Sequence, residues 1–246
     1  MPSPRSLPIY GGRDAGPRPA TRDTVKEALD AGTDPVLVVE RIARHLDAIA
    51  KEHATLDIAG ESKPACAKGC SYCCHQRVEV TAPEVFLLAR VLRNAEDARR
   101  ATRLAEVARS VAGMDGRAYH LAQARCALLG DDGACTVYEA RPLACRRAHS
   151  TDVSVCEAVH LDPAREARVV PACPTLSWNL SSLVLGYLEG AAHAGQPPHQ
   201  YELHAALAMA MADPASEERF LRGEDPLAAA RTRRAEDLPA LLGRAC

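Results

Sequence analysis

Residues 66–75 read CAKGCSYCCH, four cysteines and a histidine within ten positions. Thiols at this density form disulfides, bind a metal or carry out redox chemistry. On a helical turn the spacing of Cys66, Cys70, Cys73 and Cys74 places all four sulfurs on one stripe. One tetrahedral zinc rarely takes neighbours such as Cys73 and Cys74, because their side chains diverge. Adjacent ligands suit different metal atoms, in a polynuclear cluster or in two neighbouring sites. His75 follows directly and adds a candidate nitrogen ligand, which would point to zinc or a mononuclear iron; His149 is read in the same way.

A second group comprises Cys126, Cys135 and Cys145, with Cys156 and Cys173 further along. Cys126 and Cys135 flank Gly-Asp-Asp-Gly in CALLGDDGACTVY, a hairpin signal that would present both sulfurs at one end. Asp131 and Asp132 are turn residues in this reading and carry no chemistry. Cys246, at the chain end, is read as a bystander. Arg141, Arg146 and Arg147 surround Cys145, and arginines near a thiolate–metal centre offset its negative charge. Arg141 and Arg146 are the candidates for that role, with Tyr138 packing against the site; Arg147 is read as a solvated loop residue. Gly69 and Gly133 are expected to free the backbone for tight ligand loops.

Composition narrows the compartment and the partners. The chain has 246 residues, 47% hydrophobic and 25% charged, with a formal net charge of −2. Nothing in that balance points to nucleic acid or an anionic membrane. The start lacks the apolar core of a signal peptide, and no stretch is long enough to span a membrane. The expected location is cytoplasmic. A reducing cytosol favours metal binding over disulfides for ten cysteines.

The elements that must position these residues are mainly helical. Residues 1–20, with five prolines and three glycines, are expected to form a flexible arm. Asp34-Pro35 predicts an N-cap and first turn, followed by an amphipathic helix with Val39, Ile42, Leu46 and Ile49 on its apolar face. Thr81-Ala-Pro-Glu84 has capping-box spacing and opens another helix. An alanine- and arginine-rich helix follows it. Residues 139–176 predict loop and short helix, and helices resume from Ser177. The expected fold is mainly α: a single helical domain over 21–246, with a small β-hairpin and two cysteine-rich metal-binding segments that meet, the cysteine core spanning about 60–176.

CAKGCSYCC followed by CALLGDDGACTVYEARPLACR resembles the YkgJ-type cysteine-cluster family, described as zinc- or iron-chelating domains with a CxxxCxxCC signature. The resemblance covers roughly residues 60 to 160. It implies Cys66, Cys70, Cys73, Cys74, Cys126, Cys135 and Cys145 as metal ligands, with Cys156 joining them. Cys173 and His75 are weaker candidates. Flagellin lysine N-methylases carry a similar pattern, so the resemblance leaves open a methylase-like transfer dependent on an iron–sulfur cluster.

No P-loop, dinucleotide fingerprint or serine-nucleophile elbow occurs. Cys66, Cys70 and Cys73 reproduce a C-x-x-x-C-x-x-C spacing literally, but the alternating strands of a radical-enzyme barrel are missing. The favoured reading is a cytoplasmic metalloprotein with an iron–sulfur cluster or multi-iron site, its activity open between a metal-dependent transferase and an oxidoreductase acting on a peptide or small molecule. Zinc is the alternative cofactor, in a structural interaction module or a metal carrier. Cys70-Ser-Tyr-Cys73 also has the spacing of a thiol-redox pair.

Overall fold

The computed structural model describes residues 17–94, 98–165 and 169–233. The helices are α1 (Pro17–Asp30), α2 (Pro35–Thr55), α3 (Ala82–Asn94), α4 (Ala98–Ser110), α5 (Gly116–Ala122), α6 (Leu143–Arg147), α7 (Val153–Leu161), α8 (Pro174–His193), α9 (Leu203–Ala212) and α10 (Ser216–Leu221). Short strands β1 (Glu79–Val80), β2 (Gln200–Glu202) and β3 (Arg231–Arg233) form an antiparallel sheet in that order. The fold is mainly α, as the sequence predicts. Among the described residues, no helix is long and apolar enough to cross a membrane.

Two apolar clusters organise these helices. One gathers Phe86 and Leu88 of α3, Leu104 of α4 and Leu207 of α9, with Ala127, Leu128 and Val137 from the predicted hairpin. The other gathers Val39, Ile42 and Leu46 of α2, Val25 of α1, and Leu180 and Leu183 of α8, with Leu143 and Cys173. The second cysteine segment therefore lies across the seam, with residues 127–137 rooted in one cluster and Leu143 in the other.

Local signals act as expected at two helix starts. Asp34 Oδ1 accepts from the Val36 amide at 2.9 Å and caps α2. At α3, Glu84 Oε2 reaches back to the Thr81 amide at 2.7 Å and hydroxyl at 2.8 Å, the return half of a capping box. Its other oxygen, Oε1, accepts from the Leu143 amide at 2.8 Å. The carboxylate thereby joins α3 to the first residue of α6.

The expected arm is shorter than its composition suggests. Pro17–Ala20 already form the first turn of α1, and residues 1–16 lie outside the described residues. Helix α1 packs tightly on α8 because Gly186 and Gly190 present no side chain there. A Cβ at Gly186 would sit 2.5 Å from the Arg18 carbonyl oxygen, and one at Gly190 would sit 2.6 Å from that of Arg22. The apolar face of α1 thus pins residues whose composition reads as linker. The predicted hairpin contracts to one antiparallel bridge, Leu129 to Cys135, closed by Gly130 N to Ala134 O at 2.8 Å and Thr136 N to Leu128 O at 2.9 Å. The segment around Gln200 enters as β2 before turning helical at Leu203.

Gly190→Ala is expected to cost about 1–3 kcal/mol in chemical denaturation, since the added methyl must push α1 off α8. The same interface carries the ion pair of Arg18 with Glu189. The Arg18 guanidinium holds the Glu189 carboxyl below its ordinary 4.5, against the opposing pull of burial. A depressed carboxyl contributes stability that is complete above 4.5 and fades as pH falls through its folded-state value. Glu189→Gln should therefore be less stable than wild type at neutral pH, and the two should converge well below pH 4.5 when stability is measured against pH.

Candidate metal centre

The first cysteine segment is a chain of tight turns. Cys70 N bonds to Ala67 O at 3.0 Å, and Gly69 between them has φ +90°. Tyr72–His75 then form a single 3-10 turn that carries Cys73 and Cys74. The second segment meets it directly: Cys126 N donates to Cys74 O at 2.9 Å. Gly133, at φ +75°, packs where a Cβ would lie 3.1 Å from the Gly69 carbonyl oxygen. These two glycines let the ligand turns touch backbone to backbone. A third strand of chain joins through Ala65 N to Ser150 O at 2.7 Å.

The sulfurs fall into two lobes that share Cys73. Cys66 and Cys70 each feel the charges of Cys73 and Cys156, so α7 delivers Cys156 to the first lobe. Cys145 feels Cys126, Cys73 and Cys135, and Cys135 feels Cys126, which defines the second lobe. Cys74 joins it through its carbonyl bond to Cys126 and a side-chain hydrogen bond with Cys73. The described cysteines are free thiols.

Burial and neighbouring thiols push Cys66, Cys70, Cys135 and Cys145 up, with burial the larger cause in each. For Cys73 the hydrogen bond with Cys74 comes first and burial second. Backbone amides work the other way. Ser150 N donates to Cys66 Sγ at 3.3 Å, while the amides of Tyr72 and Val137 favour the thiolates of Cys70 and Cys135. Among the described residues, no three Cys, His, Asp or Glu side chains converge as a ready single-ion site. The donor set nonetheless has the chemistry of a cation site. Crowded sulfurs that raise one another, supplied with amide donors to their thiolates, are relieved by positive charge placed among them.

The arginines supply part of that charge. Arg141 and Arg146 lower Cys135, and Arg141 also acts on Cys73. Arg146 is buried: it pairs with Asp47 of α2 and donates through Nε to the Arg141 carbonyl at 2.9 Å. Arg141 reaches the same Asp47 at 3.2 Å and lies 4.0 Å above the ring of Tyr138, which is itself half exposed. Tyr138 thus supports the site through Arg141. Arg147 is exposed and bonds to Ser181 Oγ at 3.2 Å.

The weaker candidates sit apart. Cys173 is fully buried at the N-cap of α8 and donates its thiol to the Ser62 carbonyl at 2.9 Å, although it still feels Cys66. His75 donates through Nδ1 to Ser71 O at 3.1 Å, and its ring lies against His160 at 4.4 Å. His149 Nε2 accepts from the Cys173 amide at 3.2 Å and so serves the start of α8. Asp132 accepts from Ala134 N at 3.0 Å, as a turn residue does, and Asp131 is almost fully exposed.

One residue that the sequence does not single out stands at the second lobe. His204, 1% exposed at the start of α9, places Nε2 3.4 Å from Cys126 Sγ and Nδ1 3.0 Å from Glu202 Oε1. Burial opposes its protonation, while the hydrogen bonds and charges of Cys126 and Glu202 favour it. No local motif marks His204, because its partner Cys126 is 78 positions away.

Residues 65–167 match the model of the CxxCxxCC family, described as "Putative zinc- or iron-chelating domain". The segment is similar to that domain. The match takes in Cys66 to Cys156, the two lobes as the fold assembles them, and stops before Cys173 and His204. It agrees with the family resemblance read from the motifs and supports metal binding through the cysteines. No curated protein and no solved structure matches the chain.

The backbone contact between the two cysteine segments can be isolated by mutation. Gly133→Ala and Gly32→Ala share positive φ, but only the Gly133 Cβ meets a neighbour, while that of Gly32 meets nothing within 4 Å. Both should lose about 1–2 kcal/mol from backbone strain. Only Gly133→Ala should also lose bound metal, read by elemental analysis of protein whose helical circular dichroism is intact.

Proposed function

We propose that this chain is a metalloprotein that holds iron, as an iron–sulfur cluster or multi-iron site, in the two thiol lobes, beside a cleft that admits a peptide or small molecule. The observation that carries the reading is the division of the thiols into two lobes meeting at Cys73–Cys74. One metal atom would leave half of these donors unused, whereas adjacent cysteines on different atoms suit a polynuclear site. When bound, iron supplies Lewis acidity or electron transfer.

The chain's own residues divide the remaining tasks. Amides of Ser150, Tyr72 and Val137 orient sulfur lone pairs, and Arg141 and Arg146 offset the thiolate charge. Beside the site lies a cleft of about 1030 Å³. Its lining includes Gln76 and Arg77, just past the first cysteine segment, and Ala144 and Arg147, which flank Cys145 and Arg146. Trp178 of α8, 41% exposed, adds a flat apolar surface to the lining. Arg77 and Arg233 share Glu79 within the lining, and Arg147, bonded to Ser181 Oγ, suits a carboxylate or amide oxygen of a polar ligand. A cleft of this size fits a peptide segment or a cofactor-sized molecule.

The rival thiol-redox reading fits less well. A redox pair needs a depressed thiol, whereas burial raises Cys70, and Cys74 and burial raise Cys73.

Protein purified without oxygen or added metal should contain iron, absorb broadly near about 400 nm and release acid-labile sulfide if a cluster is present. Iron without sulfide would identify a thiolate-ligated multi-iron site. Zinc alone, colourless and required for folding, would overturn the iron reading in favour of closed structural sites or a carrier. Cys74→Ser and Cys145→Ser should each lose most of the metal, while Cys173→Ser, whose thiol is committed to Ser62, should retain it. Unchanged metal in the first two variants would remove the second lobe from the site.

A further inference from the structure

We propose that His204 is a nitrogen ligand of the cysteine site, coordinating through Nε2 beside Cys126. The inference rests on the metal-binding reading above and extends the donor set beyond the family segment, which ends at residue 167.

Two independent features of the geometry support it. The first is the tautomer. The Ala127 amide lies 3.2 Å from His204 Nε2, and an amide can only donate, so Nε2 presents its lone pair. The proton then sits on Nδ1, which faces Glu202 Oε1 at 3.0 Å, with the Tyr119 hydroxyl 3.3 Å from the same nitrogen. An imidazole held by a carboxylate through one nitrogen, with its other nitrogen unprotonated, is how ligating histidines are oriented; a metal at Nε2 would take that lone pair over from the Ala127 amide. Glu202 is itself fixed, because Oε2 accepts from Ala205 N at 2.7 Å as the N-cap of α9.

The second is distance. A metal bound to sulfur at about 2.3 Å and to nitrogen at about 2.0–2.1 Å with tetrahedral angles separates the two donors by about 3.6 Å. The separation between Cys126 Sγ and His204 Nε2 is 3.4 Å. The ring cannot turn away easily: His204 and Tyr119 are each 1% exposed, beside a cluster that includes Leu203 and Leu207.

The test is cobalt(II) titration of the full-length metal-depleted protein, followed by its visible ligand-field bands, with native metal content measured in parallel. His204→Gln keeps an acceptor for the Ala127 amide but is a far poorer metal ligand. It should weaken cobalt binding by about tenfold or more and alter the bands. His204→Cys should recover affinity and move the bands to lower energy, because a thiolate replaces an imidazole. Wild-type affinity and bands in His204→Gln would overturn the inference while leaving the metal site standing. If His204→Gln fails to fold by circular dichroism, unchanged bands in His204→Cys overturn it equally. A wild-type protein that holds neither native metal nor cobalt would instead defeat the metal-binding reading, and the inference with it.

Discussion

Thiols crowded into a small volume are the constraint on which the rest of this structure depends. Each sulfur that ionises makes its neighbours harder to ionise, and partial burial adds to the penalty. Left to itself, a chain would spread these residues apart. Here Cys66, Cys70, Cys73 and Cys156 are held in one lobe, and Cys73, Cys126, Cys135 and Cys145 in another. The fold sustains that arrangement with amide donors, two guanidinium groups and backbone contacts that do not depend on the sulfurs. A bound cation would convert mutual repulsion into shared attraction, which links metal binding to local folding.

The helices act as the frame that makes this crowding possible. The second cysteine segment is rooted in two apolar clusters at once, through Leu128 and Val137 on one side and Leu143 on the other. Glu84 bridges the same seam: one carboxylate caps α3 and accepts from the start of α6, two residues before Cys145. Burial pushes this carboxyl up while its hydrogen bonds and Arg146 pull it down. Asp47 plays a matching part from α2 by gathering Arg141 and Arg146. Residues that look like ordinary helix surface or helix caps in one dimension become the supports of the site in three.

Much of the plan was legible in the sequence because its signals are local. The N-cap at Asp34, the return bond of Glu84 and the turn chemistry of Asp132 each involve groups within three residues of one another. The glycines at 69 and 133 were legible for the same reason: tight turns call for positive φ. Proline and polar residues at 17–20 read as linker, yet they open α1. Their helix is stabilised by α8, 171 positions away at the Arg18–Glu189 contact. Local composition cannot report a partner so distant in the chain.

Residue type and spacing alone determined that this is a mainly helical chain with two cysteine segments and the chemistry of a thiolate metal site. Sulfur donors at such density, in ligand-loop spacing, have few other uses. Only the tertiary structure decided how the sulfurs are shared out, that Cys156 belongs with Cys66 and Cys70, and that Cys173 is turned toward the Ser62 carbonyl. It alone brought Asp47 to the arginines and His204 to Cys126. The physical reason is that metal-site chemistry is additive in space rather than along the chain. A buried carboxylate or imidazole acts over a few ångströms, and only packing determines which residues come that close.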